Sequence, residues 1–337
     1  MKHIRILLFL CAAAVLAGCG PTSSDAVPDQ AANAPGLVQS PSREDGVSGT
    51  GVVSVDDPDS GVGSGGPALL SLNITDAAVD DADSVVIQFN EVHFLGQGTT
   101  SNVEFVLDPP KSIDLLSLQG IRSDSLLENQ TVPVGTYGEI RLIIDQTGSF
   151  IELASGTHDL KVPSGEQSGA KIPGPFTLET DQTLSFTVDF DLRKSVVRAG
   201  PNYILKPVLR IVRDDEVGHI AGALAQSLLT DVSCPDADPN SGNAVYVFDG
   251  AGVTPDDIDG DAVEPVTTSL IKLDVQNGDY RYEIGFLPAG DYTVAFTCHA
   301  DDEIVDAQEG SVNNDLQFVG VRGVTVAAGQ VATADLQ

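Results

Sequence analysis

The chain has 337 residues, 49 acids against 17 Lys and Arg, a formal charge of −32 and no Trp. So large an acid surplus repels phosphates, which excludes DNA, RNA and anionic lipid surfaces as charge-driven partners. It favours solubility and cation binding, and the length admits two ordinary domains.

The first 18 residues read as a signal peptide. Lys2 and Arg5 make a basic start, an apolar run follows from Ile6 to Leu16, and small residues close it. The run is too short for a comfortable membrane span. Leu16-Ala17-Gly18-Cys19 resembles the lipobox of bacterial lipoproteins. That resemblance implies cleavage before Cys19, lipidation of its thiol and acylation of its new amine. Several acyl chains of the palmitate class on one residue suffice for stable anchoring, at roughly 0.8 kcal/mol per buried methylene. Gly20, where inner-membrane lipoproteins tend to carry Asp, favours the outer membrane of a Gram-negative cell. Loss of residues 1–18 removes two basic residues and no acids, so the mature charge is 15 − 49 = −34.

Residues 19–66 hold Cys19 and then a stretch rich in Gly, Ser, Pro, Asp and Ala without apolar period, which reads as a disordered tether. The flexible-chain estimate gives it a reach of roughly 35–40 Å.

From Pro67 the pattern is β. In "TLSFTVDFDL", Leu184, Phe186, Val188, Phe190 and Leu192 share one face, while Ser185, Thr187, Asp189 and Asp191 share the other. This predicts a strand with one face buried and one wet. "ALLSLNITD", "DSVVIQFNEVHFL", "EFVLD", "SIDLLSL", "GEIRLIID", "HDLKV" and "YILKPVLRIV" are further strands, and only "RSDSLLEN" reads as a short helix capped by Ser123 or Asp124. After a short charged join at 214–217, about seven more strands begin at "HIAGALAQS" and fit one small sandwich. The fold class is therefore all-β: two antiparallel β-sandwich-like domains, 67–214 and 217–337, behind the signal and the tether. So short a join predicts domains that pack rather than swing.

Pro-x-Gly-x-Tyr occurs once in each domain, as Pro133, Gly135 and Tyr137 and as Pro288, Gly290 and Tyr292. Proline fixes φ, glycine permits a turn conformation closed to other residues, and tyrosine buries its ring while its hydroxyl bonds to nearby backbone. In "DYTVAFTC", Tyr292, Val294, Phe296 and Cys298 share the core face. Of the four cysteines, Cys11 leaves with the signal and Cys19 takes the lipid. Cys234 and Cys298 remain, an even pair in an exported protein, and read as a disulfide, with two buried free thiols as the alternative.

The phrases "LLSLNITDAAVDDADSVVIQFNEVHF", "IDLLSLQG", "VPVGTYGEIRLII" and "NYILKPVLRIV" together resemble the bacterial domain-of-unknown-function family 4382 over about 67–213. The resemblance implies an exported, often lipid-anchored, β-rich domain and carries no catalytic residues. "GHIAGAL" and "FLPAGDYTVAF" are similar to carboxypeptidase-regulatory-like or transthyretin-like sandwiches, which are structural or binding units. The acidic insertion 230–266 departs from that pattern.

No G-x-S-x-G, H-E-x-x-H, P-loop or Cys-His nucleophile pattern is present, and His93, His158, His219 and His299 stand singly. The chain reads as non-enzymatic and without cofactor. Asp256, Asp257, Asp259, Asp261 and Glu264 alternate on a Gly-containing loop. They read either as a weak calcium site, since a hard cation takes six to eight oxygens, or as a solvated acidic loop. Asp76, Asp80, Asp81 and Asp83 form a weaker candidate of the same kind.

Arg193, Lys194, Arg198, Lys206, Arg210 and Arg213 concentrate basic charge within 21 positions. They either dock an acidic partner, such as the second domain of this chain, or balance charge on a strand face. Tyr246, Tyr280 and Tyr282 gather in the second domain, but Tyr280 and Tyr282 share the core face with Ile284 and Phe286. The function expected is a lipid-anchored envelope module that binds an unassigned ligand. The alternatives are a carbohydrate-binding lipoprotein and an adhesin or assembly scaffold. The expected partners are the membrane, through the lipid, and a polysaccharide or an envelope protein.

Overall fold

The computed structural model describes residues 66–77, 82–163, 168–234, 242–260, 262–303 and 316–337. The signal peptide, Cys19, nearly all of the tether, Asp80, Asp81 and Asp261 lie outside them.

The first domain contains β1 (Ala68–Ala77), β2 (Ser84–Gly96), β3 (Val103–Asp114), β4 (Asp124–Val132), β5 (Gly135–Leu153), β6 (Gly156–Lys161) and β7 (Ala170–Leu178). It continues with β8 (Thr183–Asp191), the single turn α1 (Leu192–Ser195), β9 (Val196–Ala199), β10 (Asn202–Leu205) and β11 (Leu209–Arg213). One sheet runs β11-β8-β1-β4 and the other β3-β2-β5-β6-β10-β9, with β7 also on β5. The long β5 gives one edge to β2 and divides the other between β7 at its start and β6 at its end. Alternate residues Leu70, Leu72 and Ile74 of β1 and Ile87 and Phe89 of β2 are buried in the core between these sheets.

The second domain contains β12 (Val217–Leu224), the turn α2 (Gln226–Leu229), β13 (Ala244–Asp249), β14 (Thr267–Leu270), β15 (Lys272–Asp274), β16 (Asp279–Pro288), β17 (Gly290–Thr297), β18 (Val319–Val326) and β19 (Val331–Thr333). Its sheets run β15-β16-β12-β19 and β14-β13-β17-β18. Ile220, Val245, Val247, Ile284, Val294 and Phe296 fill the space between them. Both domains fall within one unit, Val62–Gln337. The all-β, sandwich-like class holds, and the pairing is mostly antiparallel; β1 with β8, β6 with β10 and β12 with β19 run parallel.

The tyrosine device forms twice. Tyr137 Oη donates to the Pro133 carbonyl at 2.9 Å and Tyr292 Oη to the Pro288 carbonyl at 2.8 Å. Gly135 adopts φ +147, which a side chain rarely tolerates. Gly290 does not adopt a positive φ, so the conformational reason expected for it is wrong.

Three further expectations are corrected. "RSDSLLEN" is not helical: residues 124–132 form β4, because β1 offers an antiparallel partner whose register shifts let Leu126 and Leu127 both turn inward. In "SIDLLSL" the strand stops at Asp114, whose carboxylate accepts from Leu116 N at 3.2 Å and caps a 3-10 turn over Leu115–Leu118. The outer face of β8 is not wet, since Thr187 and Asp189 are buried along with the core residues. Charged groups from β11 and from the segment after it cover that face.

Candidate functional site

The join between the domains gathers most of the buried charge. Asp214 accepts from Thr187 Oγ1 at 2.6 Å, from Asn73 Nδ2 at 3.3 Å and from Ser185 Oγ, so the sheet of the first domain holds the end of β11. Arg213 pairs with Asp215 at 2.7 Å and Glu216 at 3.0 Å. Ala289 N donates to the Glu216 carbonyl at 3.2 Å. The two backbones also approach closely: a Cβ on Gly285 would lie 2.4 Å from the Gly120 carbonyl oxygen, so an alanine there would clash.

Half of the basic run reaches the second domain. Arg193 Nη1 donates to the Ala300 carbonyl at 2.8 Å, and its guanidinium lies 5.8 Å from the centroid of the Tyr246 ring. Lys194 Nζ donates to the Pro265 carbonyl at 2.7 Å and lies 3.9 Å from Glu264. Arg210 donates to the Phe286 carbonyl at 3.1 Å and to Asp189 at 2.5 Å. These second-domain contacts run mostly to backbone carbonyls, while Lys194 pairs with Glu264 of the second domain and Asp191 of the first, and Arg210 with Asp189 of the first. Arg198 and Lys206 are exposed.

Beneath these cations lie Asp76, Asp189 and Asp191. Asp76 Oδ1 accepts from Leu192 N at 3.3 Å, while Oδ2 is buried with no hydrogen-bond partner among the described residues. Burial, then the nearby Asp189 charge, holds the Asp76 carboxyl well above the ordinary aspartate range. Burial also raises Asp191, against the pull of Lys194. A raised carboxyl contributes stability that is complete below its unfolded pKa of about 3.9 and is lost as pH rises through the folded value. Keeping the Asp76 carboxyl buried at neutral pH is thus destabilising relative to a neutral side chain of the same shape. Asp76→Asn keeps an acceptor for Leu192 N and removes the charge. It is expected to raise the unfolding free energy at pH 7 by ~1–3 kcal/mol, with the gain shrinking toward pH 4. Urea denaturation across that range checks both sign and slope.

The acidic insertion is not simply a solvated loop where it is described. Ile258 and Asp257 are buried, and Ile258 packs with Tyr246, Phe248 and Ala295 on the outer face of β13 and β17. Asp257 is fully buried, and among the described residues neither of its carboxylate oxygens has a hydrogen-bond partner. Burial, ahead of the Asp259 and Asp256 charges, pushes its carboxyl up. Glu264 Oε1 accepts from Asp259 N at 3.1 Å and Gly260 N at 2.5 Å, closing the turn. Glu303, not singled out from the sequence, accepts from Tyr246 Oη at 2.8 Å and Ile258 N at 3.3 Å and pins the loop to the sheet. No contiguous pattern could have pointed to it, because its partners lie on other segments. Among the described residues no three acid, His or Cys side chains are grouped to hold a metal ion, and Asp261 is not among those residues.

Cys234 and Cys298 form a disulfide with Cα atoms 5.7 Å apart. The four histidines among the described residues stand on separate local contacts: His93 with Glu91, His158 with Ser155, His219 with Phe286 N and His299 with Asp302 and the Ser233 carbonyl. Tyr246 and Tyr282 are buried and Tyr280 is half-buried against the core, so the tyrosines pack. No helix among the described residues is long and apolar enough to cross a membrane.

Residues 67–207 match the domain of unknown function DUF4382. Among curated proteins, none matches the chain. Two solved structures resemble it at low similarity. The Bacillus anthracis TIE protein is 13% identical with a TM-score of 0.18, over 80% of this chain and 33% of that one. A candidate adhesin from Bacteroides ovatus ATCC 8483 is 10% identical with a TM-score of 0.18, over 75% of this chain and 82% of that one. The chain thus spans about a third of the length of the first of these.

Proposed function

We propose that this is a lipid-anchored protein of the bacterial cell envelope, held at the outer membrane through Cys19. Its two β-domains form a non-enzymatic binding or interaction module, the second of transthyretin-like or carboxypeptidase-regulatory-like type. The observation that carries the anchor is Leu16-Ala17-Gly18-Cys19 behind a basic, then apolar, start. The module reading is supported by the fastening of the two domains through Arg193, Lys194 and Arg210, which presents them as one surface. The ligand in this reading is a polysaccharide or an envelope protein.

Metabolic labelling with an alkynyl palmitate tests the anchor. The wild-type protein is expected to take up label and sediment with membranes, and Cys19→Ser to lose both. Membrane sedimentation unchanged in Cys19→Ser would overturn the assignment. A polysaccharide panel read with calcium and with chelator tests the module, and calcium dependence would point to the 256–264 loop. No saturable binding in either arm would favour a scaffold, and cross-linking in intact cells would then identify its neighbours.

A further inference from the structure

A cleft of about 210 Å³ opens between the domains, walled by the 119–122 turn of the first and by β15 and β16 of the second. Three cations line it: Arg122, Lys272 and Arg281. Arg281 is neutralised by Asp274 at 3.7 Å and Asp279 at 3.4 Å. Among the described residues the Arg122 guanidinium makes a long hydrogen bond, 3.4 Å, to the carbonyl of Ser117 in its own turn and no ion pair. The Lys272 ammonium has no ion pair or hydrogen bond among the described residues and reaches solvent.

This arrangement is unusual for such a chain. With 49 acids for 17 Lys and Arg, neutralising partners are abundant, and Lys194, Arg210 and Arg213 have them. Here Arg122 and Lys272, from different domains, instead line one cleft with no ion pair among the described residues, and Glu283 is the acid nearest Lys272 in that lining. Partial burial, then the Arg122 charge, lowers the Lys272 ammonium pKa against an opposing pull from Glu283. Placing like charges together is unfavourable unless an anion joins them.

The rest of the lining narrows the ligand. Glu283 and Asp274 also face the cleft, and with Asp279, which pairs with Arg281 from beside it, the local formal charges balance at 3 − 3 = 0. A carboxylate can accept hydroxyl donors but repels further negative charge. Leu273, half exposed, adds an apolar patch beside them. A polyphosphate or an acidic peptide would meet Glu283 and Asp274 as repulsion. A hydroxyl-rich monoanion would place its carboxylate on Arg122 and Lys272 and its hydroxyls on the two acids.

We infer that this interdomain cleft binds the carboxylate-bearing ring of a sugar acid, held by Arg122 and Lys272 and oriented by Glu283 and Asp274. The inference rests on the binding-module reading and names the class of ligand and its place. The sugar acid could be a free monosaccharide or a unit of an acidic polysaccharide.

The test uses the full-length protein in detergent at low ionic strength, titrated by calorimetry with glucuronate, a trigalacturonate, glucose and poly-glutamate. Saturable binding of glucuronate or trigalacturonate is expected, with none of glucose or poly-glutamate. Tighter binding of the trimer than of the monomer would identify a polymer as the source, and equal binding a free sugar acid. Lys272→Ala and Arg122→Ala, both at exposed positions, are each expected to weaken binding at least tenfold with the thermal melt unchanged. Arg122→Lys is expected to retain part of the affinity. Binding left intact in both alanine variants would overturn the cleft while leaving a binding module elsewhere on the surface. Absence of binding to either sugar acid, or equal binding of poly-glutamate, would overturn the inference itself. Neither result touches the palmitate assay.

Discussion

Replacing Cys234 and Cys298 together by Ala is expected to lower the unfolding free energy by about 4 kcal/mol. The two residues are separated by 64 positions, and the chain between them includes β13 through β17. Opening that loop in the unfolded state restores chain entropy that the bond had removed, and the logarithmic dependence on loop length gives the magnitude. Both cysteines are buried among the residues between the two sheets, so the alanines also forfeit packing. Reduced wild-type protein separates the two contributions, because it keeps the sulfur atoms and loses only the tie. Urea denaturation of oxidised, reduced and double-variant protein is the measurement. A loss below about 1 kcal/mol in both altered forms would contradict a stabilising role for the bond.

Arg210→Met is expected to cost about 3 kcal/mol, while Arg210→Met combined with Asp189→Leu is expected to cost much less. Arg210 links the domains through the Phe286 carbonyl and covers Asp189, whose side chain is 7% exposed. Removing the guanidinium alone leaves a buried carboxylate uncompensated beside Asp76, and the energetic penalty is that of the orphaned charge. Removing both charges leaves neither orphan. Phe286 holds φ +56, a left-handed conformation rare for an aromatic residue. Its amide donates to His219 Nδ1 at 3.2 Å, so the backbone there is fixed on both sides. A double-mutant cycle in urea measures the coupling. A single variant as stable as wild type, or a double variant no better than the single, would contradict this account of the join.

Several features were legible because their causes are local. Each Pro-x-Gly-x-Tyr phrase carries its whole device within five residues, and both hydroxyls reach the proline carbonyl four positions back. Period-two alternation predicted the strands because side chains on a strand alternate faces whatever its neighbours are. The cysteine pair followed from counting, and the basic run was visible as a concentration of positive charge in an acidic chain, with docking and charge balance both open.

The failures share one cause. Alternation reports which face of a strand meets the core and not what lies on the other. The burial of Thr187 and Asp189 on β8, and of Tyr246 beneath the acidic insertion, depended on segments distant in the chain. "RSDSLLEN" carries a helical cap and spacing, but the open edge of β1 satisfied its backbone instead. The five acids of the 256–264 loop were visible as composition, yet tertiary packing sent Asp257 inward and turned Glu264 onto backbone amides. Arg122 and Lys272 had no common motif, being 272 − 122 = 150 positions apart. By itself the sequence determined the strands, the tyrosine turns and the cysteine pair, since those depend on neighbouring residues. Only the tertiary structure decided which charges are buried, which are paired and which two from different domains line the same cleft, since a charge's environment is set by whatever folds against it.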